Sequence, residues 1–303
     1  MNSRSPTPKE TPCAGVQADC RQRLQAWHKL FVLCSQNPSR KRARELRVFT
    51  QRLLAEVSYC RHNEELNAKA VRTAKRWEKQ GKNLRRALSS VREADACLVK
   101  LAGLRGAAAG TSKKMCPSRR CLLQIVRLET ELGRQRESAA KALLVRMKDR
   151  RASLERLQGR LMKRLSAPLQ RLGSRSPSIG KELLAGLEKE FPQIESAHLH
   201  SFRKRVKQVR SIVEIAALSD PQARAQAAAL KKMQGATGAW RDWQVLAAKA
   251  ADSKADELAE LLRVKAEQAL QKALGQCRRG MVQLRGSAED GLRRPPSSPT
   301  HEG

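Results

Sequence analysis

Apolar residues recur at intervals of three and four along almost the whole chain. Leu24, Trp27, Leu30 and Phe31 form one series, Leu46, Phe49, Leu53 and Val57 a second, and Leu154, Leu157, Leu161 and Leu165 a third. That spacing puts each series on one face of an α-helix. The intervening residues are mainly Ala, Arg, Lys, Glu and Gln, all good helix formers. No stretch alternates with a period of two for long enough to predict a strand. The pattern predicts an all-α fold. Turn-forming residues place its interruptions at Asn37-Pro38-Ser39, around Gly81, at 103–118, 168–180, Pro192, Asp220-Pro221, 235–238 and 275–280. The Ala/Gly/Lys segment 105–118 is the expected linker. It separates a first helical repeat, 20–104, from a second, 119–288, which carries a long connecting helix. Residues 1–19 are expected to form a flexible tail. Residues 289–303, with Pro295-Pro296-Ser297-Ser298-Pro299, are expected to form a disordered one.

The two halves repeat a motif pair. Arg44-Glu45-Leu46-Arg47 opens a long helix, and His200-Ser201-Phe202-Arg203 does so again 156 residues later. Downstream, 84–95 and 233–244 align at an offset of 149, as hydrophobe-x-x-Ala-x-small-x-hydrophobe-Arg-acid. The same order at nearly the same spacing points to a duplicated helical unit. The acids of that motif, Glu93 and Asp242, are expected near helix starts, where a carboxylate suits the dipole. Arg92 and Arg241 beside them are expected to pair with acids. Trp240 and Trp243 occupy hydrophobic positions and are expected in the core.

Charge changes the picture. Across 303 residues, 62 Lys and Arg face 29 Asp and Glu, a formal net charge of +33. The tails do not account for it: 1–19 sums to zero, 289–303 to −1, and 20–288 to +34. Self-repulsion of that size opposes compaction, and a polyanion bound only by the folded state would offset it. The charge is also patterned. His200, Arg203, Lys207 and Arg210 fall within an arc of about 80° on a helical wheel, with Val206, Val209, Ile212, Val213 and Ala216 on the other side. Arg40, Arg44 and Arg47 share a face in the first half. Lys69, Arg72, Lys75 or Arg76, Lys79, Lys82 and Arg86 follow on the next helix. A solvated face usually mixes signs, because like charges at i, i+3 and i+4 weaken a helix. Recurrent one-sign stripes in both halves point instead to a grip on an extended polyanion, with Arg forks and Lys point charges on phosphate.

Aromatic residues are 3% of the chain, which disfavours base stacking on single-stranded nucleic acid. A duplex held by its backbone stays open, and a polyanion without bases fits best. The eight cysteines (13, 20, 34, 60, 97, 116, 121, 277) form no CxxC and no framework, so neither a metal nor any other cofactor is expected. No apolar run approaches the roughly 20 residues that span a bilayer. The N-terminus has no apolar signal core. The expectation is a soluble cytoplasmic protein with reduced thiols and no membrane association. Nothing in the sequence fixes an oligomeric state. Acids such as Glu155, Glu182, Glu188, Asp256 and Glu257 make no repeated carboxylate pair beside the stripes, so catalysis on phosphate chains is not expected.

The residues 44–53 (RELRVFTQRL) resemble the His-x-x-Arg-Val-x-x-x-Arg-Leu helix of CHAD domains, the conserved histidine α-helical domains. Arg92-Glu93-Ala94-Asp95 is similar to the Arg-Asp-x-Asp turn of that family. The segment 199–210 (LHSFRKRVKQVR) resembles its second His-x-x-Arg-x-x-x-Lys-x-x-Arg helix, and 233–242 its Leu-Gln-x-x-Leu-Gly-x-x-x-Asp segment. The likeness covers roughly 20–275. It implies two pseudo-symmetric four-helix bundles with a basic central groove, and binding of inorganic polyphosphate, in some members on polyphosphate granules. The Glu-x-Glu-x-Lys motif of the triphosphate-tunnel domain fused to some members is absent. The chain departs from the pattern at Arg44, in place of the first namesake histidine, and at Gln51 and Leu54, in place of family arginines. Arg44, Arg47, Arg52, Lys82, Arg86, His200, Arg203, Lys207, Arg210 and Lys231 are the expected polyphosphate-binding residues. Polyphosphate is the expected partner, nucleic acid the less favoured one.

Overall fold

The computed structural model describes residues 12–109, 118–218 and 220–293. Seven α-helices follow one another in the described residues: α1 (Pro12–Gln36), α2 (Arg40–Asn63), α3 (Ala68–Ala109), α4 (Arg119–Glu190), α5 (Leu199–Ala216), α6 (Pro221–Asp252) and α7 (Asp256–Arg293). The all-α expectation holds, with no strand among the described residues. Of the expected segments, 1–11, 110–117 and 294–303 lie outside the described residues.

Caps sit where turn chemistry puts them. The Ser39 hydroxyl accepts from the Arg42 amide at the start of α2 (3.4 Å), and Asn67 accepts from Ala70 at the start of α3 (2.9 Å). Ser118 accepts from Cys121 (3.0 Å) before α4, and Asp220 from Gln222 (2.8 Å) before α6. Each satisfies an amide that the helix itself cannot. The α6–α7 turn closes through two bonds, Ala255 N–H to Ala250 O and Lys254 N–H to Ala251 O (both 2.9 Å). Lys254 there takes a left-handed φ of 54°, a position that glycine usually fills.

Four expected interruptions are absent. Helix α3 runs through Gly81, α4 through Pro168, Pro177 and Gly180, α6 through Gly235 and Gly238, and α7 through Gly275 and Gly280. Packing overrides local propensity at these points. Buried Leu161, Leu165, Leu169, Leu172, Ile179, Leu184 and Leu187 keep the three-and-four rhythm across both prolines of α4. Gly81 is a site of close approach: a Cβ there would stand 2.9 Å from Leu54 Cδ2 of α2. Glu93 and Asp242 lie inside α3 and α6, not at helix starts, so the dipole expectation for them is corrected.

The chain divides into two compact units. Unit 1 is Met1–Arg175 with Ala250–Leu258, and unit 2 is Ser176–Lys249 with Ala259–Gly303. In unit 1, Trp27 stacks on Phe31 (5.3 Å) and meets Trp77 edge-on (5.1 Å). Helix α4 runs antiparallel to α3, since its rising residue numbers meet falling ones. Arg136 pairs with Asp95 (3.2 Å), Arg150 donates to Gln80 (2.6 Å), and Arg164 donates to Thr73 (3.0 Å). In unit 2 the core gathers Leu187, Phe191, Phe202, Val206, Val209, Leu230, Met233, Trp240 and Cys277. Phe191 meets Phe202 edge-on at 5.1 Å.

Candidate functional site

In unit 1 the apolar face of α2 buries Leu46, Leu53, Leu54 and Val57, which turns Arg44 outward. Arg44 is exposed, and with Arg40, Lys41, Glu45, Val48 and Phe49 it lines a hollow of about 600 Å³. Arg52 lies over the Phe49 ring, 5.9 Å from its centroid. Arg47 is half-buried. Its Nε donates to Ser89 Oγ of α3 at 3.0 Å, and that hydroxyl donates to the Arg85 carbonyl at 2.7 Å. Arg85 in turn donates to the Gln51 carboxamide. Burial, with a smaller contribution from Arg86, lowers the Arg85 pKa. Lys82 and Arg86 are exposed on α3. Lys82 Nζ lies 3.8 Å from Glu78, whose other carboxylate oxygen takes Arg61 at 2.6 Å. Arg86 donates to Asn83 at 3.4 Å.

In unit 2, α5 separates its faces as the wheel predicts. Phe202, Val206, Val209, Val213 and Ala216 are buried, while His200 is exposed and Arg203, Lys207 and Arg210 are half-buried. Lys204 and Arg203 of α5 and Arg241 of α6 all act on His200. Lost hydration first, then these three positive charges, hold its pKa below the ordinary histidine value. Arg210 is committed to structure. Its Nε and Nη2 donate to Glu214 Oε1 (2.8 and 2.5 Å), and its Nη1 donates to Gln234 of α6 (2.9 Å). Lys231 is exposed, one turn before Gln234 on α6.

The expected cations thus fall into two local groups. Arg44 and Arg52 share surroundings on α2, with Arg47 in the α2·α3 seam and Lys82 and Arg86 farther along α3. His200 and Arg203 stand together on α5, and Arg210 ties α5 to α6. Lys204 and Arg241 were missed as members of the second group. Spacing on one helix does not reveal a cation delivered by the next, although Arg241 lay in the duplicated motif. Next to the motif, Asp95 pairs with Arg136 of α4, an arginine from outside the motif. Trp240 is buried as expected, whereas Trp243 is half-buried. Trp240 also walls a hollow of about 320 Å³ with Gln244, Arg263 and Glu267, which the sequence did not announce.

Cys34, Cys60, Cys97, Cys121 and Cys277 are buried free thiols. Burial pushes the thiol of Cys34 up to about 11 and that of Cys277 up to about 12, so both stay protonated and unreactive near neutrality. Among the described residues, no group of three or more His, Cys, Asp or Glu side chains is placed to hold a metal. No helix among them is long and apolar enough to cross a membrane.

A family model described as CHAD domain matches residues 66–247 and, in a second match, 193–297. The two matches take in α3 to α7 and leave α1 and α2 outside. No curated protein and no solved structure matches.

Proposed function

The chain belongs to the CHAD domain family, and we propose that it binds inorganic polyphosphate through Arg/Lys stripes, without chemistry on the bound chain. The duplicated four-helix bundles and the basic groove that accompany the family resemblance are part of this reading, as is residence in the cytoplasm at polyphosphate granules. One observation carries it: Arg203 and Lys204 of α5 and Arg241 of α6 bring positive charge from two helices to His200, and this adds to its lost hydration in disfavouring a proton there. Such a gathering of like charge is costly in the free protein and is relieved by a polyanion. Arg203 and Lys207 lie on one side of α5, with charge that a row of phosphates would meet in sequence.

The test is a gel-shift titration with long-chain polyphosphate at two salt concentrations. Arg210 stays in place because Glu214 and Gln234 depend on it. Replacing Arg203 and Lys207 together with Ala is expected to lower affinity about 100-fold, from two charge-assisted contacts at roughly 1.5 kcal/mol each, with an unchanged helical circular dichroism spectrum. Unchanged affinity in that variant would remove α5 from the site. Salt-independent binding by the wild type would remove the electrostatic mechanism.

A further inference from the structure

In unit 1 the first part of the α3 stripe does not stand alone, because α4 lays a second row of cations beside it. Helix α3 between 69 and 79 has five basic residues against one acid, and that acid, Glu78, is buried on Arg61. The stretch of α4 that runs beside it, 146–164, has eight basic residues against two acids. Of these acids Glu155 is taken by Arg151 at 3.0 Å, which leaves Asp149 facing solvent among the cations. The Arg150–Gln80 and Arg164–Thr73 bonds fix the two rows side by side. Lys69, Arg72, Arg76 and Lys79 of α3 and Arg150 and Arg160 of α4 are all exposed. The apolar residues between them, Ala74 and Trp77 on the inner side of α3 and Leu154, Leu157 and Leu161 on α4, are turned into the core.

We propose that this outer α3·α4 face binds the phosphate backbone of a nucleic-acid duplex. The face is broad, with cations on two adjacent helices whose axes typically lie 8–10 Å apart. From Arg150 to Arg164 it runs about 21 Å at 1.5 Å per residue. A thin linear polymer on an open face touches one row at a time, whereas a duplex meets both rows together. Trp77, the aromatic residue of this part of α3, is buried, so the face offers no platform for unstacked bases and reads backbone charge alone. Binding of this kind is sequence-independent, and affinity near 10⁻⁴–10⁻⁶ M at physiological salt is its ordinary range.

The experiment measures fluorescence anisotropy of DNA and RNA duplexes of about 20 base pairs, and of a single strand of the same length, against the full chain across a salt series. The variant carries Arg72→Gln, Arg76→Gln, Lys79→Gln and Arg160→Gln. It is expected to lose at least tenfold in duplex affinity, and its salt slope is expected to flatten by about 3.6, four phosphates at roughly 0.9 each. The α5 cations are untouched in it, so its polyphosphate affinity is expected to fall far less than its duplex affinity. Arg72→Lys, Arg76→Lys and Arg160→Lys together keep the charge and are expected to keep duplex binding. The DNA and RNA arms report which duplex geometry is preferred. Equal duplex affinity in the Gln variant, a single strand held as tightly as a duplex, or parallel loss of polyphosphate and duplex would each overturn the proposal. Failure of polyphosphate binding alone in the wild type would leave this face standing and would overturn the proposed function instead.

Discussion

Helices α2 and α5 begin from the same motif and solve the same packing problem in opposite ways. Aligned at the offset of 156, buried Glu56 of α2 stands where α5 has buried Ile212. Glu56 takes Arg23 of α1 at 3.3 Å. Nearby, Thr50 accepts from the Trp27 indole N–H at 2.9 Å and donates to the Leu46 carbonyl at 2.7 Å. Unit 1 therefore holds α2 against α1 with a buried polar network, where α5 has Val206 and Ile212. At the motif stripe positions the balance reverses. Helix α2 has Arg44, Arg47, Gln51 and Leu54, and α5 has His200, Arg203, Lys207 and Arg210. Each pair of helices is still joined by a guanidinium-to-carboxamide bond, from Arg85 of α3 to Gln51 in unit 1 and from Arg210 of α5 to Gln234 of α6 in unit 2. The donor has changed helix. Unit 1 puts charge inside and keeps less of it on the motif stripe, while the buried polar residues of unit 2, Ser176, Ser211, Gln226 and Thr237, are uncharged and its stripe has four basic residues.

The largest effect expected from breaking this contrast is at Glu56. Burial raises its pKa, and Arg23 and then Arg52 oppose the rise without cancelling it. With the folded pKa above the unfolded one, folding takes up a proton. Stability conferred by Glu56 is then full below its ordinary value and falls as pH rises through the folded one. Glu56→Ile, which installs the unit 2 residue, strands the Arg23 charge and is expected to cost about 3 kcal/mol in urea unfolding. Arg23→Met combined with Glu56→Ile is expected to recover to within about 1 kcal/mol of wild type and to lose the pH dependence. A double variant as unstable as the single one would show that unit 1 depends on the ion pair itself.

Next in size is the pH response of binding. The first half has an arginine, Arg44, where the second has His200, and the lowered pKa of His200 leaves it neutral near pH 7.5. A polyanion beside His200 favours the protonated ring, so binding takes up a proton. Polyphosphate affinity is then expected to rise as pH falls from 7.5 through the region below 6.5, by up to about tenfold for each unit that the ligand raises the pKa. The same lowering makes folding release a proton, so His200 favours the fold above 6.5 and opposes it progressively below. His200→Gln is expected to flatten the binding profile, and Arg44→His to introduce no more than a weaker copy of it. A flat wild-type profile would place His200 outside the phosphate track.

The contrast explains what could be read in advance. The helices and the α5 stripe follow from spacing within one segment, and spacing is carried by the chain itself. The expected breaks at Gly81, Pro168 and Gly235 failed because a glycine or proline reports local preference. Whether a helix continues depends on apolar neighbours such as Leu165 and Leu169 that bury on either side. Arg210 read as a ligand contact because its position on the wheel is right; only the fold brings Gln234 of α6 to it. The inward charge of Glu56 was invisible for the same reason, since its partner Arg23 lies 33 residues away on α1.

The smallest effect comes from a hydroxyl that the unit 1 seam has and the unit 2 seam lacks. Ser89 receives Arg47 in unit 1, and its counterpart at the offset of 149 is Gly238, which has no side chain. A Cβ at Gly238 meets nothing within 4 Å, so Gly238→Ser fits without repacking. Serine is the better helix former by roughly 0.5 kcal/mol, and thermal unfolding is expected to shift up accordingly. If the unit 1 arrangement carries over, the new hydroxyl also draws Arg203 toward α6, as Ser89 draws Arg47. Gly238→Ser is then expected to weaken polyphosphate binding a few-fold while Gly238→Ala, which gains the helix propensity without the hydroxyl, leaves it unchanged. Equal affinity in both variants would mean that the Arg203 side chain follows a different path from that of Arg47, and that the likeness of the two seams ends at the backbone.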